Sequence, residues 1–211
     1  MTRIGIVLTL LSAAAGSALA QSAAPQPTSA PAVRSARVTS GTLAFDARAR
    51  VGDFSGTTQE VTGEVRGAAT ADGATGWVSF PAASLRTGNG RRDRDMRKSL
   101  EADQHPEIRL DVSRITPLAT RGDTVDVLLD VTLTVKGIGR PLQVPATVVI
   151  LPSAYRVTSQ FPIDAREWGL KGLSRLLGML SVDPRMTVRA ALEFAVDEEG
   201  RSSAPPTPAP P

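Results

Sequence analysis

The feature that most constrains the fold is an alternation of apolar and polar residues with a period of two. In residues 125–135, valine or leucine fills every odd position, and the residues between them are mostly polar. Successive side chains of a strand point to opposite faces, so this pattern predicts a long, half-buried β-strand. The same alternation recurs at residues 108–112, 142–150, 155–163 and 186–196, and more weakly at 37–47, 59–67 and 75–81.

Short turn sequences separate these segments. They are Ala-Asp-Gly at 71–73, Arg-Gly-Asp at 121–123, Lys-Gly-Ile-Gly-Arg at 136–140 and Pro-Ser at 152–153. Strands joined by such short connections are antiparallel, and about eight of them with one apolar face form either a barrel or a sandwich. Strands of about ten residues exceed the usual five or six, which favours a tall barrel. We therefore predict an all-β, eight-stranded antiparallel barrel.

Two segments break the period of two. Residues 91–102 contain no β-branched residue and many helix formers, which predicts a short helix. Within the segment 168–182, four leucines have helical spacing and indicate a second short helix near 172–181: Leu173, Leu176, Leu177 and Leu180. This segment fits either a helix packed on the barrel or a lid over a pocket mouth.

The N-terminus is typical of a secretory signal peptide over residues 1–20. Arg3 precedes an apolar stretch, and Ala18-Leu19-Ala20 resembles a cleavage site; an uncleaved anchor or a buried helix is the alternative. We predict an Ala/Pro/Ser-rich spacer at 21–35, the barrel at 36–197 and a Pro-rich tail at 198–211. In a Gram-negative host the expected location is the periplasm.

The inventory of reactive side chains argues against catalysis. The chain has no cysteine and one histidine, His105, whereas zinc sites recruit several His or Cys ligands and a catalytic triad needs converging partners. We predict no catalytic residue, no metal site, no cofactor and no enzymatic activity. The net charge is only +3, and without a basic run it indicates no nucleic-acid partner.

Three stretches in order resemble the YceI-like family, the polyisoprenoid-binding barrels of bacteria. The first is Phe45-Asp46 followed by 51–56; the second comprises 84–89, 92–96, Leu100 and 105–108; the third comprises 133–137, 141–142 and 161–170. Two positions depart from the family pattern: Met96 replaces the usual histidine, and Trp168 stands where phenylalanine is common. The resemblance implies a lipocalin-like barrel with an elongated apolar pocket and an isoprenoid-tailed ligand, such as a quinone.

The composition of the interior supports a pocket independently. Aromatic residues are 4% of the chain, and an interior of valine and leucine fills an eight-stranded barrel poorly. Trp77 and Phe80 are three residues apart, so both can face inward only across a bulge; otherwise one lies outside. The predicted ligand-binding residues are Phe45, Phe54, Trp77, Phe80, Leu129, Leu133, Val135, Phe161, Ile163, Trp168, Leu170 and Phe194.

The sequence thus predicts a carrier or store for an isoprenoid-type lipid such as a prenylated quinone. The alternatives are a stress-related interaction or scaffold barrel with a filled core, and an outer-membrane barrel. Few aromatics and the charged face of Asp126, Asp130 and Lys136 disfavour the latter. The charged cluster at 92–97 fits a solvated helix start or a site for a polar head group. Transient membrane contact and a homodimer stay open.

Overall fold

The computed structural model describes residues 35–50, 52–67, 73–170 and 182–197. The predicted signal peptide, residues 21–34 of the predicted spacer, the predicted helix near 172–181 and the C-terminal tail lie outside the described residues.

The described chain forms the predicted closed, eight-stranded antiparallel barrel, with one additional strand segment. It also contains the predicted helix, α1 (Gly90–Ser99), and 3₁₀ turns at Ala82–Ser84 and Ala165–Trp168. The strands are β1 (Ser35–Ala49), β2 (Phe54–Thr58), β3 (Thr62–Arg66), β4 (Thr75–Pro81), β5 (Glu107–Arg121), β6 (Thr124–Val135), β7 (Ile138–Ile150), β8 (Ala154–Asp164) and β9 (Val182–Val196).

Strand β1 closes the barrel. Its whole length pairs with β9, and its other edge pairs with β2 at Leu43–Thr58 and with β3 at Ser35–Arg66. Both pairings follow a single register, so β2 and β3 are two halves of one interrupted strand. The Thr58 hydroxyl accepts a hydrogen bond from the Glu60 amide at 3.1 Å, and this side-chain turn lies at the interruption. The strand predicted at 59–67 therefore begins only at Thr62, and β2 is a segment that the alternation did not predict.

A two-residue hairpin turn joins β6 to β7, and the His105 ring packs against it. Lys136 and Gly137 both have positive φ, 53° and 70°, as a type I′ turn requires. A Cβ at position 137 would lie 2.9 Å from the His105 ring, so glycine also makes room for that ring. Glu101 holds the Lys136 ammonium at 2.7 Å and lies 3.9 Å from His105 Nε2. His105 therefore packs a loop against this hairpin.

Helix α1 is anchored at its N-terminus. The Asn89 side chain accepts hydrogen bonds from the Arg91 and Arg92 amides at 3.0 and 3.1 Å, as an N-cap does. Asp93 is buried, and it accepts hydrogen bonds from the Thr87 amide and hydroxyl at 2.9 and 2.6 Å. These contacts fix α1 to the segment that precedes it.

The largest buried cluster lies where α1 meets the barrel, and we call this region the helix end. It joins Leu100 to strand residues Leu133 and Val135 and to Trp168, which is 1% exposed. Two smaller clusters lie along the barrel, around Phe194 and around Val144. The apolar core is therefore divided into three parts.

Candidate ligand-binding cavity

A cavity of about 470 Å³ lies inside the barrel, between the three buried clusters. Leu129 and Val112 border it and are only half-buried, although their strand neighbours place them on the inward face. Inward side chains at the middle of the barrel thus face open space. An eight-stranded barrel of small and medium side chains leaves such space, because its interior is just wide enough to hold one small ligand.

The wall of the cavity is almost wholly aliphatic along the strands. The inward faces of the strands supply it, because alternate residues point to the barrel axis. In β6 these are Val125, Val127, Leu129, Leu133 and Val135. Neighbouring strands add Leu110, Val112, Ile115, Val144, Ala146, Val148, Val157, Phe161, Ile163, Val188, Ala190 and Leu192.

Polar groups of the wall are paired within the protein at two points. The Ser159 hydroxyl donates a hydrogen bond to the Pro145 carbonyl at 2.7 Å, and the Trp168 indole donates to the Leu133 carbonyl at 3.0 Å. Pairing removes the cost of placing these groups beside an apolar space. An apolar ligand therefore meets few unpaired polar groups along the strand wall.

Every residue that the sequence predicted for the site lies at the border of the cavity, although the ring of Trp77 is turned to the outward face: Phe45, Phe54, Trp77, Phe80, Leu129, Leu133, Val135, Phe161, Ile163, Trp168, Leu170 and Phe194. Whether they contact a ligand stays a prediction. The register separates the predicted pair on β4, because Phe80 pairs with inward Ile108 and Trp77 pairs with Asp111. The Arg109 guanidinium lies 4.5 Å from the Trp77 ring centroid on that outward face. Phe80 is thus the β4 aromatic that points inward.

Two phenylalanines lie edge to face beside α1. The ring centroids of Phe45 and Phe54 are 6.1 Å apart at 85°, a favourable geometry for aromatic pairs. The Phe45 ring lies directly over Gly56, where any Cβ would overlap it. Gly56 thus provides the space that Phe45 occupies at the cavity.

The predicted ligand-binding residues include none of α1, although a head-group site was one of two interpretations of its charged cluster at 92–97. Arg92, Asp95, Met96 and Ser99 border the cavity, and their spacing of i, i+3, i+4 and i+7 marks one helical face. That spacing could have indicated a helix face at the pocket. However, three of these four residues are polar, so the face lacks the apolar pattern that predicts burial. Met96 makes this position of the wall apolar.

Strong ion pairs lie on the outward surface. The Arg189 guanidinium, 2.7 Å from Asp46, lowers the pKa of that carboxyl, with help from the Ser55 hydroxyl. Arg166 lowers the pKa of Asp164 to about 2. Neither carboxyl borders the cavity. The charge pairs thus belong to the water-facing side of the barrel.

The described residues contain neither a metal centre nor a membrane-spanning helix. No three His, Cys, Asp or Glu side chains of the described ranges come together as a metal centre would need. No helix in the described part is long and apolar enough to cross a membrane.

The pattern of the YceI-like domain matches residues 35–194, which spans the barrel from β1 into β9. The chain belongs to the YceI-like family. No curated protein matches it.

Solved structures share the fold of this YceI-like chain. BcnA of Burkholderia cenocepacia is 17% identical with a TM-score of 0.60, covering 72% of this chain and 95% of its own. A polyisoprenoid-binding domain from Saccharophagus degradans, implicated in plant cell wall breakdown, is 17% identical with a TM-score of 0.64, covering 77% and 98%. A mutant YceI protein of Campylobacter jejuni is 14% identical with a TM-score of 0.50, covering 68% and 85%. At these identities the likeness concerns the fold.

Proposed function

We propose that this YceI-like protein is a carrier or store for a long apolar lipid of the isoprenoid type, such as a prenylated quinone, and that it catalyses no reaction. The observation that carries the proposal is the aliphatic cavity of about 470 Å³ inside the barrel. This volume falls within the range of small-molecule sites, about 300–1,000 Å³. A barrel with a filled core, the alternative scaffold function, does not fit this cavity.

The apolar cavity wall supplies part of the affinity. Burying ~300 Å² of apolar ligand surface contributes about 7 kcal/mol at ~25 cal/mol/Å². Association and the ordering of a flexible tail cost several kcal/mol of that. The remainder is a few kcal/mol, so contacts to the head group or burial of a longer tail must add several kcal/mol to reach the roughly 8 kcal/mol of micromolar binding.

The isoprenoid class comes from two lines of support. The domain from Saccharophagus degradans is described as polyisoprenoid-binding, and the family pattern covers the same barrel here. In addition, the aliphatic wall suits a branched hydrocarbon tail, because it presents few polar groups along the strands. The predicted signal peptide supports a carrier that acts in the periplasm.

A pair of adjacent substitutions on β6 tests the proposal. Leu129 borders the cavity, whereas Leu128 points outward between Thr116 and Pro145. We expect L129W to fill part of the cavity and to lower the amount of co-purifying lipid at least tenfold, and L128W to leave it unchanged. Mass spectrometry of organic extracts of the purified mature proteins measures that amount and identifies the lipid.

Two results would overturn the function. One is wild-type protein that carries no lipid and also fails to bind a prenylated quinone at micromolar concentration. The other is equal loss of lipid in L128W and L129W, which would place the lipid outside the barrel. Circular dichroism of both variants shows whether each retains the β-barrel.

A further inference from the structure

One end of the cavity is chemically different from the rest. Three polar residues that border it, Arg92, Asp95 and Ser99, lie together on α1, whereas Ser159 and Tyr155 border it from β8. Each of them is half-buried. The other members of that helical face and its surroundings, Met96 and Leu100, are apolar. The aliphatic channel thus ends in a small group of polar side chains at the helix end.

Arg92 is held in place without a polar partner. Its guanidinium lies 4.1 Å from the centroid of the Phe54 ring, a cation–π geometry. Its Nε atom is enclosed and forms no hydrogen bond within the described part of the chain. An enclosed donor without a partner costs free energy. The folded barrel therefore keeps the Arg92 guanidinium at the cavity with its Nε donor unsatisfied.

Asp95 and Ser99 complete the set of hydrogen-bonding groups. In the described ranges, neither Arg92 nor Asp95 takes part in an ion pair. Arg92 offers only donors, Asp95 only acceptors, and the Ser99 hydroxyl offers both. The other charged side chains of α1 do not border the cavity. The cavity end therefore presents one positive and one negative charge.

This balance determines which head group fits. A diphosphate would gain from Arg92 but would place its negative charges beside the Asp95 carboxylate, and like charges repel. An uncharged head that accepts from Arg92 and donates to Asp95 satisfies both. Such a head also offers a partner to a guanidinium whose Nε is unsatisfied.

We propose that Arg92, Asp95 and Ser99 form a head-group site that selects isoprenoid lipids with an uncharged, hydrogen-bonding head, such as an alcohol or a quinol, over isoprenoid diphosphates. The proposal rests on the lipid-binding function above and specifies its substrate class. Arg92 and Asp95 are then specificity-determining residues, whereas the strand wall holds the tail.

Three C20 probes with the same tail length test the selection. Delipidated mature protein is titrated by calorimetry with geranylgeraniol, geranylgeranyl diphosphate and phytane, which has no head group. We expect wild-type protein to bind the alcohol at least tenfold more tightly than the diphosphate. D95N is expected to reduce that preference roughly tenfold, and R92Q to weaken alcohol binding roughly tenfold, as loss of a hydrogen bond to a charged group predicts.

Arg97 provides a matched control on the same helix. Its Nε atom is also enclosed and unpartnered, but Arg97 does not border the cavity. R97Q should therefore bind the alcohol as wild-type protein does. Phytane binding should be the same in all four proteins, because it has no head group to lose.

The outcomes separate the two proposals. If wild-type protein binds none of the three probes, the lipid-carrier function fails and the head-group site with it. If it binds the diphosphate as tightly as the alcohol, or if R97Q matches R92Q, only the head-group site is overturned. Should R92Q fail to fold, the change in preference caused by D95N decides the question.

Discussion

The helix end and the middle of the barrel are built from similar apolar side chains but are packed differently. At the helix end, Trp168 is 1% exposed and Leu100 is 7% exposed. In the middle, Leu129 and Val112 are half-buried because they face the cavity. The difference shows that the same strands can supply stability in one region and space for a ligand in another. Close packing at the helix end stabilises the fold, and loose packing in the middle leaves room for a ligand.

Substitution of Trp168 is the strongest test of the difference in packing between the two regions. We expect W168A to lower the free energy of unfolding by about 3–5 kcal/mol, because it removes a large buried ring and leaves the Leu133 carbonyl without its donor. L129A, which enlarges an existing cavity, should cost less than about 2 kcal/mol, since fewer contacts are lost. Urea denaturation of the two delipidated variants measures both. Equal losses would show that the two regions do not differ in packing.

The anchor of α1 tests whether the helix end depends on polar contacts as well. Asp93 is buried and accepts two hydrogen bonds from Thr87. A hydrogen bond to a charged group contributes about 1.5–3 kcal/mol to stability. We expect D93A to lower the free energy of unfolding by about 2 kcal/mol. D103A, on an exposed side chain just after α1, should change it by less than about 0.5 kcal/mol. A D93A protein as stable as D103A would contradict the anchoring role.

Gly56 lies on the border between the two regions. A methyl group there would overlap the Phe45 ring, and forcing a packed side chain aside costs about 1–3 kcal/mol. We expect G56A to lose about 1–2 kcal/mol of stability, because the neighbouring cavity gives the ring somewhere to move. G90A, where nothing lies within 4 Å of the added carbon, is the control and should be neutral or slightly stabilising. Denaturation midpoints with unchanged slopes measure both.

Most of the fold was predictable because the barrel has one apolar face. The alternation in β6 predicted directly which residues point inward and which point outward, and the composition of residues 91–102 predicted α1. The break between β2 and β3 was not predictable from alternation, because it depends on a local hydrogen bond from Glu60 to Thr58. Period-two patterns report which face is buried and carry little information about such side-chain turns.

The cavity wall was predictable in part for the same reason. Aromatic and aliphatic residues on inward faces border the cavity as expected, whereas the direction of Trp77 required the register of β4 against β5. The polar residues of α1 were interpreted as a solvated helix start or a head-group site, and the sequence offered no means to decide between them. Their position beside Phe54 depends on how the helix docks on the barrel, which is a tertiary property.

The smallest expected effect concerns the ion pair beside the helix end. Arg166 lowers the pKa of Asp164 from 3.8 to about 2, so the folded state accepts the proton at lower pH than the unfolded chain. The stabilisation is therefore fully present above about pH 4 and is lost as the pH falls towards 2. We expect D164N to flatten the pH dependence of stability within that window and to be less stable than wild-type protein at pH 7 by the same amount, which is small because the pair is exposed to solvent. Urea midpoints measured from pH 2 to 7 test this, with D103N as the control. If D164N and wild-type protein lose stability in parallel on acidification, the acid sensitivity of the barrel arises from other carboxyls, among them Asp46, whose pKa is also lowered by its arginine partner.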